Sequence, residues 1–351
     1  LFFFSLLIAA QVSVAQKAFS DYFSNGTLLV SFDTKELNGK IVFCGSFRYS
    51  MMPEWNGSER MPSKSIVDSD RRIQMVDNGG EVLFSYSYSS LLDEWMTICD
   101  KRREYRKKPF HEILQLPFPK SAVSIVLQRR GADGKYVTYH EELFDPAKHV
   151  KDFRAGKVET MGLMDNGDSR HKVDLVILSS GYDAGNIASY DSVATFFVSS
   201  LFEYEPFKSN KDKFNVTLIR HYGDLGFTPG IFGIDRYQGT WDYTKAYMKV
   251  LGVPCDTWVL FTNSDKYIGG GIYNNYAVYS DKNPKSVLGM IHEFGHSFAG
   301  LDDEYEYTGE YGDKKSNYKP ESECMMRALQ YQFCPECQKR ILETIKYWCG
   351  E

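Results

Sequence analysis

The apolar runs of this chain change character between residues 150 and 170, and no other feature constrains its fold as much. Before that stretch the runs are short, and several alternate in polarity: TLLVSFDT, KIVFCGSF, EVLFSYSYS, FHEILQLPF, SAVSIVLQRR and KYVTYHEELF. Alternation with period two puts one face of a strand in a core and the other in water. Clusters such as NGK, DNGG and GADGK separate the runs and supply turns. Short strands at this spacing predict an antiparallel sandwich. Further on the runs become longer and largely apolar: KVDLVILSSGY, FNVTLIRHY and DTWVLFTNS, with GGGIYNNYAVYS read as a fourth strand. Segments with helical spacing lie between them, at about 184–204 and 240–251. Strand and helix in alternation predict an α/β arrangement. The expected division is a leader over 1–15, an all-β sandwich-like domain over 16–155, and an α+β or α/β domain over 156–351.

The leader is expected because LFFFSLLIAA is apolar and uncharged, and Ser13-Val14-Ala15 before Gln16 fits a small-residue cleavage site. This reads as a secretory signal peptide, with a buried N-terminal strand as the alternative. The run is too short to span a bilayer, and no later stretch reaches that length. Export to periplasm, cell surface or medium is therefore expected, as a monomer without a transmembrane segment. Apolar residues at 43% and charged residues at 25% allow a packed core. A net charge of -5 gives no reason to expect nucleic acid or an anionic membrane as partner. The one basic cluster, KRREYRKK at 101–108, reads as a solvated face. His111, His140 and His149 are isolated and read as structural.

The chemistry concentrates in HEFGHSFAGLDDEY, residues 292–305. Asn283 and Pro284 suit the start of a helix, and KSVLGMIHEFGHSFAG continues it with an apolar face. Residues four apart lie above one another on a helix, so His292 and His296 can offer two imidazole nitrogens to one metal ion. Glu293 sits beside the first of them and can reach a water on that metal, as general base. Gly300 permits the chain to turn, since glycine takes positive φ without penalty. The turn brings Asp302, Asp303 and Glu304 to where a third protein ligand of a catalytic Zn2+ is needed.

HEFGHSFAGLDDEY resembles the signature of the IgA-peptidase-like zinc metallopeptidases, the igalysins of the metzincin clan. Two more segments are similar to that family. GGGIYNN, with Gly269, Gly270, Gly271, Ile272 and Tyr273, resembles its substrate-binding edge strand, which takes a peptide as an added strand. ECMMRAL resembles its methionine turn, with Met325 or Met326 beneath the metal as structural support, alongside Gly300. The β-rich first half is similar to the accessory domain that often precedes the catalytic one. The resemblance implies a metzincin-like catalytic domain, Zn2+ as cofactor and a protein or glycoprotein substrate. One residue is inserted between His296 and Gly300 relative to the wider clan. Counting from the glycine selects Asp303 as third ligand, and counting from the histidine selects Asp302. The glycine sets the turn, which favours Asp303. Glu304 is then a supporting group or a weaker ligand candidate, and Tyr305 a hydrogen-bond donor or a packing residue.

The seven cysteines leave three readings open. Cys324, Cys334, Cys337 and Cys349 can form disulfides, a four-thiolate structural zinc site, or free buried thiols. Cys44 and Cys99 can pair within the first half. Function follows from the metal motif: an exported zinc endopeptidase. The alternatives are a zinc hydrolase of non-peptide acyl substrates and a metal-loaded but inactive module that docks a surface glycoprotein.

Overall fold

A computed structural model describes residues 18–61, 67–98, 108–148, 150–233, 237–304 and 323–351. The expected leader, Cys99, His149, Tyr305, the tyrosine-rich loop after it and nearly all of the basic cluster lie outside these residues. The first part runs α1 (Phe19–Tyr22), β1 (Phe23–Leu37), β2 (Lys40–Met52), β3 (Arg71–Val76), β4 (Val82–Tyr88), α2 (Leu91–Ile98), β5 (Phe110–Pro119), β6 (Val123–Arg130), β7 (Tyr136–Phe144) and β8 (Lys151–Asp152).

β1 and β2 are an antiparallel hairpin closed by Asn38 and Gly39, at φ 52° and 75°. A two-residue turn with both φ values positive matches the twist of its strands, and Asn-Gly tolerates that conformation best. The strand orders are β5-β1-β2-β8 in one sheet and β4-β3-β6-β7 in the other. Leu28, Val30, Phe32 and Leu116 of the first share one buried core with Ile73, Met75, Ile125 and Leu127 of the second. Two sheets joined through their inner faces are a sandwich.

β3 has no counterpart among the strands read from sequence. Its inward face is Arg71, Ile73 and Met75, and a charge opens the pattern. Arg71 is fully buried, with Nε donating to Asp93 Oδ2 at 2.5 Å, Nη2 donating to Asp93 Oδ1 at 3.1 Å, and Glu112 at 3.6 Å. Those carboxylates hold its guanidinium well above the usual range against the effect of burial.

The second part runs β9 (Glu159–Met164), β10 (Val173–Ser180), α3 (Ile187–Leu201), β11 (Phe214–Arg220), β12 (Thr228–Pro229), β13 (Gln238–Gly239), α4 (Thr244–Val250), β14 (Thr257–Thr262), β15 (Gly269–Gly271), β16 (Tyr276–Ser280), α5 (Ser286–Ala299) and α6 (Pro335–Trp348). Six strands form one sheet in the order β15-β16-β14-β10-β11-β9. The middle four are parallel and the two edges antiparallel. Parallel strands covered on both faces need apolar side chains on both, and β10 and β14 are buried at every residue. Val173, Leu175 and Ile177 join a core with residues of α3, α5 and α6. Val176 and Leu178 join another with α4 and with Trp95 and Phe110 of the first part. The chain is thus a mixed α/β protein with several sheets and few helices.

Three readings shift. The stretch read as a boundary holds β9, an edge strand whose mostly exposed residues carry little pattern. GGGIYNNYAVYS is not one strand but the hairpin β15–β16, which reverses where Asn274 takes φ 50°. α5 begins at Ser286, two residues later than Pro284 suggested, because Asn283 Oδ1 accepts from Lys285 N at 2.9 Å in a separate turn.

Candidate metal centre

α5 ends as its sequence requires. Gly300 sits at φ 61°, its N–H donates to His296 O at 3.0 Å, and the Leu301 N–H donates to Gly295 O at 3.3 Å. This pair of bonds closes a helix through a left-handed residue, which a side chain disfavours. The turn carries Leu301 back over the helix. His296 Nδ1 donates to Leu301 O at 2.5 Å, and His292 Nδ1 donates to Met325 O at 3.0 Å. A carbonyl only accepts, so both Nδ1 atoms carry the hydrogen and both Nε2 atoms present lone pairs.

Those two Nε2 atoms lie 3.2 Å apart. Asp303 Oδ1 lies 3.1 Å from one and 3.3 Å from the other. Asp302 is exposed, so Asp303 is the acid brought to the imidazoles. Three acceptors that converge in this way repel unless a cation stands among them. A tetrahedral Zn2+ with bonds of about 2.0–2.1 Å has ligand–ligand edges of about 3.3 Å, which the triangle matches. The residues therefore fit zinc. In the metal-free chain a proton serves instead. Burial opposes a charge on His296, but Asp303 overrides it and the imidazole is pushed up to about 10. Burial alone would raise Asp303, while His296 and His292 hold it well below the usual carboxylate range.

Glu293 lies beside this triangle, its carboxyl raised by burial, with His292 and His296 opposing and Asp303 reinforcing. β15 comes close because it has no side chains. A Cβ on Gly271 would lie 2.4 Å from Glu293 O, and one on Gly269 would lie 2.9 Å from Glu293 Oε1. The outer edge of β15 is not open along its length, as the expected strand addition requires. Tyr237 bridges Gly269, and the Ser89 N–H donates to Tyr273 O at 3.0 Å. Ile272 and Tyr273 are buried, so they support the strand from within. Beneath α5, Met325 and Met326 are both fully buried. The space at Gly295 is filled by Met326 Sδ, while Met325 gives its carbonyl to His292.

Sequence reading missed Glu94, on α2. Burial pushes its carboxyl up to about 7, Asp93 adds to this, and the fields of His296 and Glu293 both reach it. The local sequence marks only the start of α2: Asp93 N donates to Ser90 Oγ at 3.2 Å, and Ser90 Oγ donates to Asp93 Oδ2 at 2.7 Å. The four C-terminal thiols are not brought together. Cys337 and Cys349 stand at opposite ends of α6, about 18 Å apart along the axis. Cys44 is free.

Two family models match the chain. One described as IgA Peptidase M64 matches residues 216–314, and one described as Peptidase M64 N-terminus matches residues 18–140. No curated protein matches. No described helix is long and apolar enough to cross a membrane.

Proposed function

The chain belongs to the IgA peptidase M64 family, whose two models together cover more than half of it, and on that premise we propose that it is an exported zinc-dependent endopeptidase. His292, His296 and Asp303 hold the metal. The observation that carries this reading is the triangle of acceptors, with both histidine tautomers fixed by backbone carbonyls. When bound there, zinc supplies Lewis-acid polarisation of the scissile carbonyl and makes water a nucleophile near neutral pH.

The remaining work falls to the chain. Glu293 takes a proton from the attacking water and returns it to the leaving nitrogen, and burial, by raising its carboxyl above the ordinary value, makes it a stronger base for that step. Gly269, Gly270 and Gly271 lend backbone to align a substrate segment. Tyr237 and Ser89 at either end keep that segment short. The division at residue 155 is kept in this proposal, with the sandwich as a partner in the cleft rather than a detached module.

The test is digestion of a mixed peptide library, read by mass spectrometry, with wild type and Glu293→Ala at matched zinc content. Cleavage by wild type alone supports the proposal. Cleavage by neither, with zinc bound in both, replaces it with a binding role. Export is tested separately by locating the mature chain in cell fractions.

A further inference from the structure

A second group of ligand atoms lies next to the metal centre in sequence but serves none of its chemistry. Cys324, Cys334, Cys337 and Glu304 are buried, and one ligand atom from each lies within 4.8 Å of every other. Cys324 Sγ and Cys337 Sγ are 3.7 Å apart. Glu304 Oε1 is 3.8 Å from Cys334 Sγ and 3.9 Å from Cys337 Sγ. Tetrahedral Zn2+ with Zn–S bonds of about 2.3 Å has sulfur–sulfur edges of about 3.8 Å, and sulfur–oxygen edges of about 3.6 Å. The Met326 and Cys334 N–H groups each donate to Cys324 Sγ at 3.4 Å. Such bonds favour the thiolate, the form that binds metal.

We propose that Glu304, Cys324, Cys334 and Cys337 form a second, structural Zn2+ site, closed to substrate. This replaces the four-thiolate reading, with Glu304 in the place of Cys349. Three soft sulfurs and one carboxylate oxygen suit zinc, and four protein ligands leave no open position. The site joins three segments. Glu304 follows Asp303 directly, and its N–H donates to Met326 O at 3.0 Å. Cys324 precedes Met325, whose carbonyl holds His292. Cys334 and Cys337 begin α6. Occupancy therefore fixes both the third catalytic ligand and the carbonyl that orients the first.

The proposal stands apart from the peptidase reading, and its test does not use activity. Full-length wild type, purified with zinc, is expected to carry two metal ions per chain by mass spectrometry. Reloaded with Co2+, it is expected to show thiolate-to-cobalt charge transfer, which imidazole and carboxylate ligands do not give. His292→Ala/His296→Ala is expected to keep one ion and the charge-transfer band. Cys337→Ser is expected to lose the band and one ion, and to bind the remaining ion about 10- to 100-fold more weakly. Should that variant not fold, the wild-type stoichiometry and spectrum still decide. One ion per chain without the band overturns the proposal. So does a disulfide mapped among Cys324, Cys334 and Cys337 in the zinc-loaded protein.

Discussion

Gly271→Ala isolates the contact between β15 and the helix that carries His292 and His296. The new Cβ would stand 2.4 Å from Glu293 O and 3.0 Å from His296 Cβ, where ordinary contact begins near 3.4 Å. Both neighbours belong to α5, so no flexible side-chain end can yield. Strand and helix must part by about 1 Å. Gly271 has no positive φ, so alanine gains about 0.4–1 kcal/mol by restricting the unfolded chain. Overpacking costs about 1–3 kcal/mol and outweighs that gain. The net loss of about 1–2 kcal/mol lowers Tm by roughly 1–3 °C in a chain of this length. A displacement of about 1 Å between Glu293 and the aligned substrate lowers kcat/KM about 100-fold. Calorimetry and the peptide-library assay measure the two effects, at unchanged zinc content. Gly162→Ala is the control: its Cβ meets nothing within 4 Å, so Tm holds or rises. If Gly271→Ala melts with wild type and cleaves within twofold of it, β15 and α5 are not held at this distance, and the close-approach argument fails.

Glu293→Gln should keep its metal and lose about 10²- to 10⁴-fold in kcat, because an amide cannot take the proton; matched metal analysis and turnover check it. The metal-free protein should lose stability as pH rises. His296 is raised to about 10 by Asp303 against burial, so its contribution is complete below the unfolded value of about 6.5 and gone above about 10. Asp303 is depressed, so its contribution is present above about 3.9 and lost on acidification; thermal melts across pH with chelator show both limbs. Zinc must displace the shared proton, so its apparent affinity should rise about tenfold per pH unit in the neutral range, measured by chelator competition. Arg71→Met should destabilise by about 3–5 kcal/mol, since Asp93 and Glu112 then lose their buried cation; denaturant melts of the full chain test it.

The candidate metal group was legible because a helix period and one glycine bring its residues together. Two histidines four apart share a face whatever surrounds them, and Gly300 allows a single direction of return. The sandwich strands were legible where apolar residues fill the inward positions. β3 was hidden because Arg71 holds the inward position, and its partners Asp93 and Glu112 come from distant segments. GGGIYNNYAVYS misled because its turn uses Asn274 at positive φ where no Gly or Pro marks a reversal. Glu94 was invisible as a site residue for a different reason. Its place near Glu293 depends on how α2 sits against the second part of the chain, and no local pattern encodes that.

Charge separates the two ligand groups. Two neutral imidazoles and one carboxylate leave a divalent ion positive, and Glu293 is the nearby anion. Three thiolates and a carboxylate more than neutralise the same ion, so a metal there polarises nothing and serves to hold chain. The peptide bonds between Asp303 and Glu304 and between Cys324 and Met325 make the groups mechanical neighbours. On the two-site proposal, loss of the sulfur-bound ion loosens Asp303 first, because His292 and His296 are also fixed by α5 itself. Metal should therefore leave the catalytic group more readily without the histidine helix melting, and far-ultraviolet circular dichroism during chelation separates that order from simple unfolding.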